Sequence, residues 1–222
     1  MNNRTISMKH SKSEQVYDWV TRKIFTREFL PGQRLVAREI AGQLELSKTP
    51  VREALLRIRE DGLVQGDFNT GVFVAHITPK DALEIIDIRE MLEGLAARLA
   101  AEKAKEEDIV QLRAILDKME EYSKKDLIEA YADHDMQFHD AVVQIGESNR
   151  LQEILHKIRM QSKLLMSTTM KLPTRGMTAS LNEHTSVWKA ISLHDPKGAE
   201  AAARRHVLAT REAAKKWLEV LL

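Results

Sequence analysis

Apolar residues recur every three or four positions through most of this chain, the spacing that lines one face of a helix. Val16, Val20 and Ile24 share such a face, which predicts a first helix opened by Ser13 and ending near Glu28, before the turn signal Pro31-Gly32. A short second helix is expected over about residues 37–44. After the brief link LELS a third begins near Ser47–Thr49, with Pro50 in its first turn, where a missing N–H costs little; Gly62 stops it after Asp61. Two short strands fit Leu63–Gly66 and Val72–His76, joined by DFNTG. Thr78-Pro79 reads as a helix start and a domain boundary. Beyond it the pattern predicts six helices, at about 79–103, 106–123, 126–145, 149–170, 178–194 and 196–221. Asp126, Ser148 and Asp195-Pro196 serve as start signals, and Pro173 and Gly176 mark the longest break.

The expected organisation is a polar tail over residues 1–12, a first domain over 13–77 and a second over 78–222. Three short helices followed by a two-stranded wing describe a winged helix-turn-helix, whose third helix enters the DNA major groove. The fold class is therefore mainly α: an N-terminal winged helix-turn-helix and a C-terminal all-α antiparallel helical bundle. In SKTPVREALLRIRED the buried stripe is Val51, Ala54, Leu55 and Ile58. Lys48, Arg52 and Arg59 form an adjacent flank, with Thr49 at its edge. Cationic groups at a helix N-terminus suit a duplex, since Arg and Lys donate to guanine edges and the first amides bind phosphate.

Four polar residues interrupt the apolar stripes of the second domain. Asp135 and His139 lie one turn apart among Ile128, Tyr131, Phe138 and Val142. His184 stands between Leu181 and Trp188, and His206 follows Ala199 and Ala202, ahead of Ala213 and Trp217. Buried carboxylates and imidazoles need partners. Hydrogen bonds within the core are one solution; a single divalent metal would satisfy all four at once. Arg89 interrupts a stripe of Ile85, Ile86, Leu92 and Ala96, so its guanidinium faces inward toward a carboxylate, either that of a ligand or that of Glu93 one turn away. Arg159, flanking Leu155, Ser162 and Leu165, is a second and weaker candidate for an acidic ligand. His134, His156 and His194 are left outside the site.

Composition narrows the field. Of 222 residues, 43% are hydrophobic and 30% charged, and no apolar run spans a membrane. The N-terminus lacks the apolar core of a signal peptide, so the expected compartment is the cytoplasm. There is no cysteine, which excludes disulfides and thiolate ligands. A net charge of +1 means that any nucleic-acid contact is local.

The run PGQRLVAREIAGQLELSKTPVREALLRIREDGLV, with a wing glycine after it, resembles the DNA-binding domain of GntR-family bacterial transcription regulators. The words IREMLEGLAARLAA, DMQFH, ESNRLQEIL, NEHTSVWKAI and ARRH resemble the FCD ligand-binding domain of the FadR subfamily, in its six-helix VanR-like group. The first resemblance implies DNA contacts from Arg38, Ser47, Lys48, Thr49 and Arg52, plus wing-tip backbone over Asn69–Gly71. Lys48 stands where the family often has Arg, so it acts as a point charge rather than a bidentate reader. Phe68 and Asn69 at the wing tip are individual to this chain. The second resemblance implies a divalent metal on Asp135, His139, His184 and His206. Three imidazoles and one carboxylate suit zinc first, with nickel, manganese or cobalt open.

The expectation is a ligand-responsive repressor sensing a small organic or sugar acid through that metal, acting as a homodimer on a palindromic operator. Two alternatives stand beside it. The metal is purely structural, or the chain is a metal-dependent hydrolase. The second fares poorly, because Glu183, the nearest base, projects ~100° away from His184 around the helix.

Overall fold

The computed structural model describes residues 11–168 and 176–221. The end of the expected 149–170 helix, the Pro173 break, most of the 1–12 tail and the Ala213 and Trp217 side chains lie outside the described residues. Two compact units change over between Ile77 and Thr78.

The first unit opens with α1 (Lys12–Phe25). Its cap is Ser11, not the expected Ser13. Ser11 Oγ accepts from the Glu14 amide at 3.1 Å, and the Glu14 carboxylate accepts from the Ser11 amide at 3.3 Å. Only Ser11 has a glutamate three residues on to complete this reciprocal pair. The helix stops before Glu28, and Arg27 takes a left-handed turn at φ 61°. Then come β1 (Arg34–Leu35), α2 (Ala37–Gln43), α3 (Lys48–Glu60), β2 (Val64–Asp67) and β3 (Gly71–Val74). The sheet is antiparallel in the order β1-β3-β2, with Leu35 opposite Val72 and Val64 opposite Val74. The sequence pattern did not anticipate β1. Val16, Val20, Val51, Ala54, Ile58 and Leu63 are fully buried between the helices and the wing, each worth roughly 1–3 kcal/mol of hydrophobic stabilisation.

The second unit contains α4 (Pro79–Lys103), α5 (Glu106–Lys124), α6 (Ile128–Ile145), α7 (Asn149–Thr168), α8 (Met177–Ser192) and α9 (Pro196–Leu221), except that the end of α7, Lys163–Thr168, groups with the first unit. Thr78 caps α4 with the Thr78–Asp81 reciprocal pair, and Asp195 accepts from the Gly198 amide at the start of α9. Asp126 is not the cap of α6: it sits at φ 54°, and Leu127 precedes the first helical residue. Here α4 packs against α6, α8 and α9, while α5 packs against α6 and α8. Small residues take part where α4 meets α9: Ala97 and Ala203 line one cavity, and Gly94 faces Arg204. Ala96, Ala97 and Ala100 on α4, and Ala199, Ala202 and Ala203 on α9, are nearly or fully buried. A Cβ added at Gly94 would come within 2.7 Å of Arg204 Cγ. Small side chains let two helices approach closely. Polar groups that cross the packed layers find partners: Tyr131 Oη donates to the Met177 carbonyl at 3.0 Å, and Trp188 Nε1 to the Ile109 carbonyl at 3.1 Å.

Candidate metal centre and nucleic-acid surface

Three helices bring imidazoles to one point. His139 comes from α6, His184 from α8 and His206 from α9, all buried, with ligand nitrogens within 4.8 Å of one another. Asp135, one turn before His139, adds a carboxylate 3.2 Å from His184 Nε2 and 3.9 Å from His139 Nε2. Asp135 keeps 28% of its side-chain surface exposed, unlike the imidazoles, and so forms the rim of the cluster.

Each imidazole is held from behind through Nδ1. Glu93 Oε2 lies 3.2 Å from that of His139, the Ser180 carbonyl 2.8 Å from that of His184, and Glu183 Oε2 2.9 Å from that of His206. Carboxylates and carbonyls accept, so the ring protons sit on Nδ1 and the lone pairs on Nε2. The consequence is unusual. His139 Nε2 and His184 Nε2 face each other across 3.2 Å with a carboxylate oxygen beside them. Acceptors aimed at one another repel unless a proton or a metal cation lies between them. Nitrogens ~2.1 Å from a shared, tetrahedrally bound zinc would stand about 3.4 Å apart, close to this separation. Outer acceptors on Nδ1 are also what orient metal-binding histidines.

The protonation states agree with this chemistry. Burial pushes His184 down to about 4, opposed by Asp135 and aided by His139. Burial, then the His184 and His139 rings, then Arg89, hold His206 well below the usual imidazole range. Both are neutral at pH 7, the form that ligates metals. The cavity they line with Glu93, Phe138, Val142 and Val187 has a volume of about 10 Å³, the space of a single small ion or water.

Two buried arginines lie beside the cluster. Arg89 on α4 donates from Nη1 to Ser162 Oγ at 3.0 Å and from Nε to Glu93 at 3.4 Å. Arg159 on α7 grips Glu93 with two bonds of 2.8 and 2.7 Å, and also donates to Asp140 and to the His139 carbonyl. Burial alone would raise the Glu93 carboxyl; Arg159, then His139, outweigh it and keep it well below the ordinary range. Arg159 therefore spends its donors on the protein. Of the histidines left outside the site, His134 is bonded to the Ala130 carbonyl and His194 to that of Ala101, while His156 is exposed.

Sequence reading missed Glu93 as the partner of His139, Glu183 as the partner of His206, and Ser162 as the partner of Arg89. The first two carried a usable signal, since a histidine on an apolar stripe asks for an acceptor on the facing helix.

In the first unit, Arg38, Ser47, Lys48, Thr49, Arg52 and Asn69 are exposed. Gly71 is buried as the first residue of β3, where a Cβ would lie 2.8 Å from the Phe73 ring. Asp67 Oδ1 accepts from the amides of Asn69 and Thr70 at 2.7 and 2.8 Å, which fixes the wing turn. The Arg52 guanidinium lies over the Phe68 ring, 5.2 Å from its centroid.

Comparison with known proteins supplies the family. The pattern of bacterial regulatory proteins of the gntR family matches residues 12–74, and that of the FCD domain matches residues 84–209. The "Probable D-xylose utilization operon transcriptional repressor" of Paenarthrobacter nicotinovorans is 29% identical over 198 residues, covering 89% of this chain and 86% of its own. The "Galactonate operon transcriptional repressor" of Escherichia coli (strain K12) is 24% identical over 216 residues, covering 88% and 93%. The solved structure of E. coli McbR/YncC shares the fold, with a TM-score of 0.80 at 21% identity over 94% of this chain and 99% of that one. No helix among the described residues is long and apolar enough to cross a membrane. The chain belongs to the gntR family of bacterial regulatory proteins, a DNA-binding transcription regulator with an FCD domain and not an enzyme.

Proposed function

We propose that this regulator is a cytoplasmic repressor that senses a small organic or sugar acid through a divalent metal, zinc first among the candidates. Asp135, His139, His184 and His206 would hold the ion, which would supply Lewis-acid attraction for a carboxylate, and Arg89 would supply a cation nearby. Residues 13–77 read DNA through Arg38, Ser47, Lys48, Thr49, Arg52 and the Asn69–Gly71 turn. Residues 78–222 carry the sensor and the homodimer contacts that match a palindromic operator. Effector binding must favour one arrangement of the two DNA readers, or it could not change operator affinity.

One observation carries this reading: three buried imidazoles, each with an oxygen acceptor against Nδ1, cluster beside the Asp135 carboxylate. The operons named for the xylose and galactonate relatives support a sugar-derived effector. The test begins with metal content of the purified protein and of His184→Ala, by mass spectrometry. One equivalent in the first and little in the second is expected; equal content would end the proposal. D-Galactonate is then titrated into metal-loaded protein on a duplex selected from a randomised library, with loss of binding expected.

The size of the cavity favours a second reading, in which the metal only braces the bundle. At about 10 Å³ it admits an ion but no organic acid without widening toward the Asp135 rim. Operator binding indifferent to every acid, combined with a lower unfolding temperature after chelation, would select bracing.

A further inference from the structure

The wing turn carries a large aromatic residue, and its side chain is not flung outward. Phe68 follows Asp67 in a loop closed by the Asp67–Gly71 pair of β2 and β3. Asp67 fixes that loop through the two amides of Asn69 and Thr70. Gly66 supports it at φ 87°, where a Cβ would collide with the Gly71 carbonyl. Held so, Phe68 is half-buried and its ring lies beneath the Arg52 guanidinium of the recognition helix. A guanidinium within ~6 Å of a ring centroid is attracted to the aromatic face. Its planar fork stays open at the edges, and those edges are what meet a guanine.

We propose that Phe68 is a positioning residue for operator recognition. It serves as a stacking platform that holds Arg52 in the rotamer that reads a base, so the wing sets the selectivity of the recognition helix. This rests on the reading of Arg52 as a base-contacting residue. It assigns Phe68 a different role from the apolar wedge that some proteins push into the minor groove. A free arginine side chain samples many rotamers and loses that freedom on binding; a stacked one has lost part of it beforehand. Removing the ring therefore weakens the Arg52 contact and leaves those of Lys48 and Ser47 in place.

The experiment is binding-site selection from a randomised duplex library with the full chain and with Arg52→Ala, Phe68→Ala, Phe68→Leu and Phe68→Tyr. Affinities for the selected duplex and its single-base variants follow at fixed salt. Arg52→Ala should flatten preference at one base-pair position. Phe68→Ala and Phe68→Leu should flatten the same position by roughly two- to fivefold, the scale of an exposed cation–π contact. Phe68→Tyr should restore it, and Phe68→Ala added to Arg52→Ala should cost nothing further. The leucine variant keeps the bulk and the turn, so its loss reports the aromatic face rather than folding. Unchanged preference in Phe68→Leu, or a change confined to flanking A·T positions, overturns the proposal. An unchanged profile in Arg52→Ala overturns the base-reading role of Arg52 and the platform with it, a failure visible separately from that of Phe68.

Discussion

Replacing Arg159 by Met isolates one buried charge. Arg159 and Glu93 expose only 4% and 3% of their side chains, and two bonds of 2.8 and 2.7 Å join them. Methionine keeps much of the volume and removes the donors. Glu93 then retains Arg89 at 3.4 Å and His139 at 3.2 Å, neither of which replaces a two-pronged grip. The lost Asp140 contact adds little, because that carboxylate is 52% exposed. Breaking one side of a buried pair costs about 3–5 kcal/mol, and the residual partners place this case near the lower end. At about 2–4 °C per kcal/mol for a chain of this size, Arg159→Met should melt roughly 6–12 °C below the parent. The check is a pair of thermal melts by circular dichroism at pH 7.5, with a third for Glu93→Gln combined with Arg159→Met. The double variant removes both members of the Arg159–Glu93 pair; Arg89 then keeps Ser162 and a neutral amide in place of its carboxylate, so part of the loss, not all of it, should be recovered. A single variant melting within about 2 °C of the parent, or a double variant no better than the single, would refute the assignment of Glu93 as a charge that depends on Arg159.

Three further outcomes are expected. Tyr17→Phe deletes the 2.6 Å bond to Asp61 and should cost about 1–3 kcal/mol in urea unfolding at pH 7. Burial first, and then the Asp61 bond, raise the Tyr17 hydroxyl above its ordinary value of 10.0; its stabilisation is thus complete below pH ~10 and declines as pH rises toward the folded value, a decline that alkaline melts should show in the parent and not in the variant. Gly66→Ala should weaken operator binding at least tenfold in a gel-shift titration, because φ 87° and the Gly71 carbonyl leave no room for a methyl group; parental affinity would mean that the wing has no part in binding. Ser11→Ala should lower stability by about 1 kcal/mol through loss of the α1 cap, while Ser13→Ala, away from the cap, should leave the urea midpoint unchanged.

The helices of the second unit were legible because their signals are local. Apolar period, Thr78-Pro79 and Asp195-Pro196 are all contained within a few residues, and the observed α4 and α9 have the expected limits. The errors have equally physical origins. Strand β1 is two residues long and exists only through pairing with β3, some 38 residues on; nothing in Arg34-Leu35 alone announces it. Asp126 has the chemistry of a cap, but its backbone is committed to a left-handed turn. The site was legible in part for the same reason. A helical wheel picks out Asp135, His139, His184, His206 and Arg89 as inward, and it pairs Arg89 with Glu93 one turn away. It does not reveal that Arg159, 66 residues from Glu93, is the stronger partner. The ~100° between Glu183 and His184 removes Glu183 from base work. That same offset turns it toward α9, where it meets His206.

Small residues where α4 meets α9 bear on the histidine cluster. Glu93 stands on one of these helices and His206 on the other, and Ala97 and Ala203, one from each, line the same cavity. The room inside the histidine cluster is therefore limited in part by methyl groups on residues that carry no chemistry. Valine at Ala97 or Ala203 would add two carbons beside that space with every donor still present. The size of what fits among the donors is thus open to change through these small residues while the donors themselves stay the same.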